Sequence, residues 1–229
     1  MIPTTLHYCW FGGKPKPKLV RRCMESWRRF APEFSIVEWN ESNFDVSAMP
    51  FTRDALADRS FAFVSDVARA KILYEHGGVY LDTDMELLRP LVEFLQPGVD
   101  FFSGYEPGNF VVSGMIGSVP RHPIWEKYMV HYSHAAYWNA DGSKFSASNV
   151  PLFTALLEER GLVREDRLQC FGEIVIYPST VFCPLDYRTG KLTIAPESAA
   201  IHHYAGSWLP WHVRVRPKLK KMLRKYICK

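Results

Sequence analysis

The chain has 229 residues, of which 47% are hydrophobic and 23% charged, so it suits one folded domain and is not a wholly disordered protein. The net charge of +4 is uneven, because residues 213–229 carry eight Lys and Arg and no acidic residue. Without that tail, 20 basic residues face 24 acidic ones, which argues against nucleic-acid binding. We predict one domain over residues 1–212 and a basic amphipathic helical tail over residues 213–229.

The cysteines and the amino-terminal residues bear on location. The five cysteines show no C-x-x-C spacing, which predicts reduced thiols and argues against structural zinc. The opening MIPTTLHYCW lacks a signal-peptide pattern, and no apolar run approaches the roughly 20 residues that span a bilayer. We therefore expect a cytoplasmic protein whose tail lies peripherally on the inner face of the plasma membrane. The alternative for the tail is a solvated charged helix packed on the domain.

The predicted elements begin with a strand in IPTTLHYCWF, a helix in LVRRCMESWRRFA that Pro32 ends, and a second strand in FSIVEW. This order predicts an α/β fold with a parallel sheet. A helical pattern then runs from Thr52 to His76 and stops at Gly77-Gly78, in the manner of a glycine cap. The short strand of VYLDTDMEL follows directly.

The second half of the chain predicts shorter elements. FFSGYE and VVSGMIGS are expected to form one strand each, and helices are expected over residues 123–132 and in PLFTALLEERG. Residues 134–150 predict a long loop over the site, and residues 174–195 predict short strands broken by Pro and Gly.

The acidic pair Asp82-Thr83-Asp84 emerges from the end of that short strand. Ligands of open α/β sheets bind beyond the carboxyl ends of the strands, and alternate residues of an extended segment point to the same side. Two carboxylates placed in this way are suitable ligands for Mg²⁺ or Mn²⁺ bound to a diphosphate. The alternative is a solvated acidic turn, but the strand and the glycine pair before it favour a metal site.

Three other groups of residues are candidates for ligand contacts. Asp66 and Arg69 share a helix face, where they could contact a sugar and a phosphate or form an ordinary ion pair in solvent. His7 and Trp10 lie where the first strand meets its loop, a position that contacts the nucleoside in α/β folds or merely packs. Near the carboxyl end, IHHYAGSWLPW offers an imidazole as a further metal ligand, or one core and one surface histidine.

Several of these segments, in this order, resemble glycosyltransferase family 32. The resemblance is carried by HYCWFGG, SWRRFAPEFSIVEWNESNFD, FAFVSDVARAKILYEHGGVYLDTDMELLRPL and GSVPRHPIW, and it resumes at IHHYAGSW. Family 32 contains D-x-D sugar transferases related to yeast initiating mannosyltransferases and to bacterial capsule and lipopolysaccharide enzymes. The resemblance implies a GT-A fold, with a Rossmann-like and mostly parallel sheet flanked by helices. It also implies a retaining reaction and a nucleotide-sugar donor bound through Mn²⁺ or Mg²⁺.

The resemblance also implies roles for individual residues. Asp66, Arg69, Asp82 and Asp84 would form the catalytic group, and Asp82, Asp84 and His203 would hold the metal. The nucleotide sugar would contact His7, Trp10, Ser65, Asp66, Arg69, Asp82, Gly206, Ser207 and Trp208.

The carboxyl-terminal segment is also similar to the H-x-x-G-x-x-K-P-W motif of retaining family 8 transferases, whose His is a metal ligand. Leu209 replaces the lysine of that motif, and the matching residues are His203, Gly206, Pro210 and Trp211. Ser207 and Trp208 would then close over the donor by their similarity to family 32.

The expected function is transfer of a hexose or N-acetylhexosamine from a UDP- or GDP-sugar to a glycan or lipid-linked acceptor in surface polysaccharide synthesis. Two alternatives stay open. A phosphatase of the haloacid dehalogenase type also uses a D-x-D after a strand, but it needs a second acidic pair, and the residues after Leu162 offer none that is convincing. The other alternative is a non-catalytic module that binds a nucleotide sugar or a membrane.

Overall fold

The computed structural model describes residues 1–206. It begins with β1 (Thr5–Cys9), α1 (Lys18–Phe30) and β2 (Ser35–Trp39). The two strands pair in parallel, with Thr5 opposite Ser35, which confirms the predicted start of an α/β sheet. Helix α1 buries Val20, Cys23 and Trp27 along one stripe, as its helical spacing requires.

The helical pattern of residues 52–76 forms two helices rather than one. After a short 3-10 helix (Val46–Ala48), α2 covers Pro50–Ala57 and α3 covers Phe61–His76. The break lies at Arg59, whose φ of 59° is left-handed. Neither Pro nor Gly marks this turn, so the periodicity alone did not predict it.

Gly77-Gly78 joins α3 to β3 (Gly78–Leu81), as predicted. The Gly77 N–H donates to the Leu73 carbonyl at 2.9 Å, and its φ of 62° turns the chain out of the helix. A Cβ on Gly78 would lie 2.5 Å from the Thr5 carbonyl oxygen, so the close approach of β3 to β1 requires glycine there.

The remaining elements follow in short pieces. VVSGMIGS forms two separate strands rather than one, because the chain turns at Ser113-Gly114 between them. A second 3-10 helix covers Leu91–Phe94. The other helices are α4 (Pro123–His134), α5 (Asn149–Glu158) and α6 (Ser179–Phe182). The other strands are β4 (Met85–Leu87), β5 (Phe101–Glu106), β6 (Phe110–Val111), β7 (Met115–Ser118), β8 (Gln169–Phe171), β9 (Ile174–Tyr177), β10 (Leu185–Asp186), β11 (Lys191–Leu192) and β12 (Ala200–His202).

Within residues 1–206 the main sheet has the order β2-β1-β3-β7-β5-β9-β8, with β6 beside β5. Strands β2, β1, β3, β5 and β9 run in one direction, whereas β7 and β8 run the opposite way. The carboxyl ends of β1, β2, β3 and β5 therefore meet at one edge, together with the amino end of β7. Strand β12 pairs with β4 beside this edge, with His202 opposite Met85.

Two apolar cores cover the two faces of the sheet. One lies against α2, α3, α4 and α5, and the other lies against α1 and α6. Alternation in β1 divides its side chains, with Leu6 and Tyr8 in the α1 core and Cys9 in the α3 core. The predicted α/β architecture, with helices on both faces of a mostly parallel sheet, is confirmed.

In the part of the chain that the structure describes, no helix is both long and apolar enough to cross a bilayer. The predicted boundary between residues 212 and 213, and the helical tail beyond it, lie outside the described residues and stay predictions.

Candidate active site

The carboxylates of Asp82 and Asp84 lie at the sheet edge where β3 ends. The Asp82 N–H donates to the Gly114 carbonyl at 2.7 Å, so the start of β7 fixes the first aspartate. Asp82, Asp84 and His202 each offer a ligand atom, and these atoms all lie within 4.8 Å of one another. The cluster combines two carboxylates with one imidazole, a donor set that Mn²⁺ accepts.

Asp84 and His202 interact directly. His202 Nε2 lies 3.4 Å from Asp84 Oδ1, and the Ala205 N–H donates to Asp84 Oδ2 at 2.7 Å. Burial favours the neutral carboxyl, but His202 and the Ala205 N–H outweigh it and lower the pKa of Asp84 to about 2. The pKa of His202 rises, because Asp84 overcomes the effect of its burial. Asp84 is therefore a carboxylate that already has a positive partner, the His202 ring.

The imidazole of His203, which was expected to hold the metal, contacts a different acid. Its Nε2 lies 2.7 Å from Glu86 Oε2, and Glu86 also accepts a hydrogen bond from the Arg22 Nε at 3.0 Å. Adjacent residues of an extended strand point in opposite directions. In this structure His202 faces the aspartate pair, and His203 faces Glu86.

Asp66 and Arg69 form a buried network beneath the pair. Their charged groups are 2.9 Å apart and their side chains are 12% and 6% exposed, so they do not form a solvated surface ion pair. Arg69 also reaches Asp82 Oδ1 at 3.2 Å and donates to the Ser113 carbonyl at 2.6 Å. Burial raises the pKa of Asp66 to about 7, although Arg69 opposes this rise. Ser65, one residue earlier, contributes its carbonyl to the Arg69 guanidinium at 3.3 Å.

Asn149, at the start of α5, is part of this network and was not predicted. Its Nδ2 donates to Asp66 Oδ1 at 2.6 Å, and its Oδ1 accepts from the Ser113 hydroxyl at 3.1 Å. Asn149 is 83 residues from Asp66 along the chain, and the loop of residues 135–148 brings it to the network. No local pattern marks such a long-range contact, but Ser148 as a helix N-cap would have located the start of α5.

Trp10 lies at the mouth of a cavity of about 860 Å³ between the ends of β1 and β2. Lys16 lies over its ring at 5.6 Å, and Glu38 and Asn40 line the same cavity. The cavity lies where β1 and β2 end, and none of its lining residues belongs to the aspartate cluster, so the nucleoside contact of Trp10 stays a prediction.

His7, in contrast, is only 2% exposed, and both its ring nitrogens are occupied. Its Nε2 contacts the Gly77 carbonyl and its Nδ1 accepts from the Trp39 indole N–H, each at 3.0 Å. Burial lowers its pKa to about 4, which agrees with a neutral ring that donates through Nε2. His7 thus has no ring nitrogen available for the predicted nucleotide contact.

The predicted residues nearest the carboxyl end are only partly described. Gly206 is the last described residue and has a left-handed φ of 57°. Ser207 and Trp208 lie outside the described residues, so their predicted closure over the donor stays a prediction.

Comparison with known proteins finds a family that matches part of the chain. Residues 17–101 match the family described as the glycosyltransferase sugar-binding region containing the DXD motif. This matched segment contains Asp66, Arg69, Asp82 and Asp84, so the resemblance to the family coincides with most of the network above.

Two curated relatives of this chain are named as glycosyltransferases. A human alpha-1,4-N-acetylglucosaminyltransferase is 26% identical over 140 residues, which cover 59% of this chain and 38% of the human one. An uncharacterized glycosyltransferase, L373, of Acanthamoeba polyphaga mimivirus is 31% identical over 140 residues, covering 55% and 53% of the two chains. The matches thus span about half or less of the length of these relatives.

The fold of this chain resembles that of the solved PaToxG glycosyltransferase. The two share a TM-score of 0.52 over 69% of each chain, at 15% sequence identity. The predicted GT-A fold is confirmed by this likeness and by the sheet topology described above.

Proposed function

We propose that this chain is a metal-dependent glycosyltransferase that moves a sugar from a nucleotide sugar to a hydroxyl of a glycan or lipid-linked acceptor. One observation carries the proposal: Asp82, Asp84 and His202 converge within 4.8 Å at the sheet edge where ligands bind. The match of residues 17–101 to the DXD-motif glycosyltransferase region supports the same reaction class.

The cluster suits Mn²⁺ or Mg²⁺. The carboxylates supply hard oxygen ligands, and His202 supplies a nitrogen that must be neutral to ligate. When bound, the divalent cation would neutralise charge on the diphosphate and on the departing nucleotide. We propose that Asp84 and His202 ligate directly, and that Asp82 lies toward the ribose and the metal-bound water.

Arg69 and Asp66 would support the donor from below. Arg69 is 5% exposed and is tied to Asp66, Asp82 and the Ser113 carbonyl, so we propose that it acts mainly as a fixed positive charge that orients both carboxylates. Asp66 would accept hydrogen bonds from hydroxyls of the donor sugar. Trp10 would contact the base from the cavity that it lines at the ends of β1 and β2.

The reaction exchanges one glycosidic bond for another. The bond from the anomeric carbon to the phosphate oxygen breaks, a bond to the acceptor oxygen forms, and the acceptor's proton passes to the leaving diphosphate. Attack from the same face retains the configuration and gives an α-linkage. This mode agrees with the resemblance to retaining families, and it requires no carboxylate nucleophile beneath the sugar.

The finer assignments are also proposals. The donor would be a UDP- or GDP-linked hexose or N-acetylhexosamine, and the human relative's name makes UDP-N-acetylglucosamine the first donor to test. The product would belong to a surface polysaccharide such as capsule or lipopolysaccharide. Residues 213–229 would hold the enzyme at the cytoplasmic membrane face through their eight cationic side chains.

A donor screen tests the reaction class. The wild-type protein is incubated with UDP-Glc, UDP-Gal, UDP-GlcNAc, UDP-GalNAc or GDP-Man, with Mn²⁺ or with EDTA, and release of the nucleoside diphosphate is measured. We expect one donor to be cleaved only with metal, and Asp84→Asn to lose at least about a hundredfold in rate.

Glu33→Gln is the matched control, because it also removes one negative charge, from an exposed position on the loop before β2. It should retain the wild-type rate. Donor cleavage that is equal in EDTA, or that survives Asp84→Asn in a folded protein, would contradict the proposal. Release of phosphate from simple phosphoesters without any sugar transfer would favour the phosphatase instead.

A further inference from the structure

A row of aromatic rings leads from the aspartate pair to solvent. The His202 ring, whose Nε2 lies 3.4 Å from Asp84 Oδ1, stacks on Tyr204 with a centroid distance of 3.9 Å. The Tyr204 ring in turn lies 4.8 Å from that of Tyr187. Tyr187 is 50% exposed, so an open aromatic face lies two ring contacts from the pair.

Local hydrogen bonds close the turn that carries Tyr187. It joins β10 to β11, and Asp186 accepts hydrogen bonds from both Nε and Nη2 of Arg188, at 3.0 and 3.1 Å. The Gly190 N–H also donates to the Asp186 carbonyl at 2.6 Å. A Cβ on Gly108, in the turn between β5 and β6, would lie 3.9 Å from Arg188 Nη1, so the two turns lie side by side.

Glu106, the last residue of β5, lies where the aromatic row meets the aspartates. It is 9% exposed, and the positive group that acts on it among the described residues is His202, not a Lys or Arg. Asp82, Tyr187 and Tyr204 are also close enough to act on it electrostatically. The Tyr204 hydroxyl is fully buried beside Glu106 and Cys183 and makes no hydrogen bond of normal geometry among residues 1–206. Glu106 can therefore accept a hydrogen bond from a ligand, whereas Tyr204 contributes its ring.

We propose that Tyr187, Tyr204 and Glu106 form the binding site for the acceptor saccharide, which rests on the proposed transferase function. We call these three residues the tyrosine wall. The open ring of Tyr187 matches the apolar C–H face of a sugar, the Tyr204 ring supports it from behind, and the Glu106 carboxylate matches a sugar hydroxyl.

The charges around the wall select a neutral acceptor residue. Glu106 repels phosphate and carboxylate groups, and Arg188 is already paired with Asp186 and so offers no free cation. Tyr187 reaches Asp84 through the rings of Tyr204 and His202, so a sugar stacked on Tyr187 lies beside the donor site. The acceptor's reacting unit is therefore a neutral pyranose whose hydroxyl binds to Glu106.

Acceptor kinetics test this assignment. The donor found in the screen above is supplied at saturation, and p-nitrophenyl glycosides of Glc, Gal, GlcNAc and Man are varied while transfer and donor hydrolysis are both measured. We expect Tyr187→Ala to raise the acceptor KM about tenfold and to lower the ratio of transfer to hydrolysis by a similar factor. Tyr187→Phe, which keeps the ring, should restore both values to within about twofold of the wild type.

Leu192→Ala is the control, because Leu192 lies on the same hairpin with 48% exposure but takes no part in the aromatic row. Glu106→Gln should lower the transfer ratio as Tyr187→Ala does. An unchanged acceptor KM in Tyr187→Ala, or an equal rise in Leu192→Ala, would overturn the inference. It would also be overturned if the enzyme hydrolyses its donor but transfers the sugar to none of the four glycosides. Failure to cleave any donor would instead refute the proposed function.

Discussion

Gly114 offers the sharpest test of whether Asp82 must be held in one place. A Cβ on Gly114 would lie 2.7 Å from Asp82 Oδ2 and 3.2 Å from its Cγ. Gly114 does not have a left-handed φ, so Gly114→Ala introduces no backbone strain of that kind. The substitution therefore acts mainly by pushing on one carboxylate.

The expected loss follows from how that carboxylate is fixed. Arg69 and the Tyr80 hydroxyl both contact Asp82 Oδ1 at 3.2 Å, so the carboxylate cannot rotate without losing these contacts. Relief of the clash requires a shift of roughly 0.5–1 Å, and a misplacement of that size can cost about a hundredfold in rate. We expect kcat/KM for donor cleavage to fall about 10- to 100-fold, which corresponds to about 1.4–2.8 kcal/mol in the transition state.

The assay compares Gly114→Ala with Gly98→Ala, in which the new Cβ meets nothing within 4 Å but the φ of 80° is strained. Gly98→Ala should unfold at a lower temperature and keep its rate of donor cleavage. Gly114→Ala should instead keep its unfolding temperature and lose donor cleavage. In an Asp82→Ala background, Gly114→Ala should have no further effect on UDP affinity with Mn²⁺, because the clash is gone. Full activity of Gly114→Ala, or an equal additional loss in that background, would refute the reasoning.

Three further predictions concern the site and its supports. Asn149→Leu removes the hydrogen bond to Asp66, so it should lower both donor cleavage and the free energy of unfolding, the latter by about 1–3 kcal/mol. His202→Ala should weaken Mn²⁺ binding about tenfold or more in a calorimetric titration, and His203→Ala should weaken it much less. The pKa of His7 is lowered from 6.5 to about 4, so its unfolded state binds more protons and stability is lost as the pH falls through that window. At pH 5 the free energy of unfolding lost in this way is about 2 kcal/mol. Between pH 7.5 and pH 5, measured by urea denaturation, the free energy of unfolding of His7→Gln should therefore fall by about 2 kcal/mol less than that of the wild type.

Each of these has its own contrary outcome. Asn139→Leu, in the exposed loop before α5, controls for the loss of an amide, and an equal effect there would show that the contact with Asp66 is unimportant. A larger loss of Mn²⁺ affinity in His203→Ala than in His202→Ala would restore the original sequence expectation. Identical acid sensitivity of the wild type and His7→Gln would mean that His7 is not the group that titrates.

Local patterns predicted the parts of the fold that local physics determines. The strand, helix and strand of residues 5–39, the glycine cap at Gly77-Gly78 and the delivery of Asp82 and Asp84 to the sheet edge all follow from periodicity and turn chemistry. The turn at Arg59 was missed because it needs a left-handed φ at a residue that carries no turn signature.

The exact membership of the site depends on contacts that local patterns do not encode. His202 faces the aspartates because β12 pairs with β4 in a register that places it opposite Met85. A one-residue shift in a strand moves every side chain to the other face, and here the ring beside Asp82 and Asp84 is that of His202, whereas His203 contacts Glu86. Which of the two histidines holds a metal stays a prediction. Asn149 is joined to Asp66 only by the folded path of the loop before α5.

A crystal structure with Mn²⁺ and UDP, with anomalous scattering used to locate the metal, tests the central claim most directly. We expect one Mn²⁺ peak within coordination distance of Asp84 and His202, with the diphosphate of UDP on its open side. The His203 ring should keep its contact with Glu86. UDP bound away from this edge, or Mn²⁺ held without Asp84, would contradict it.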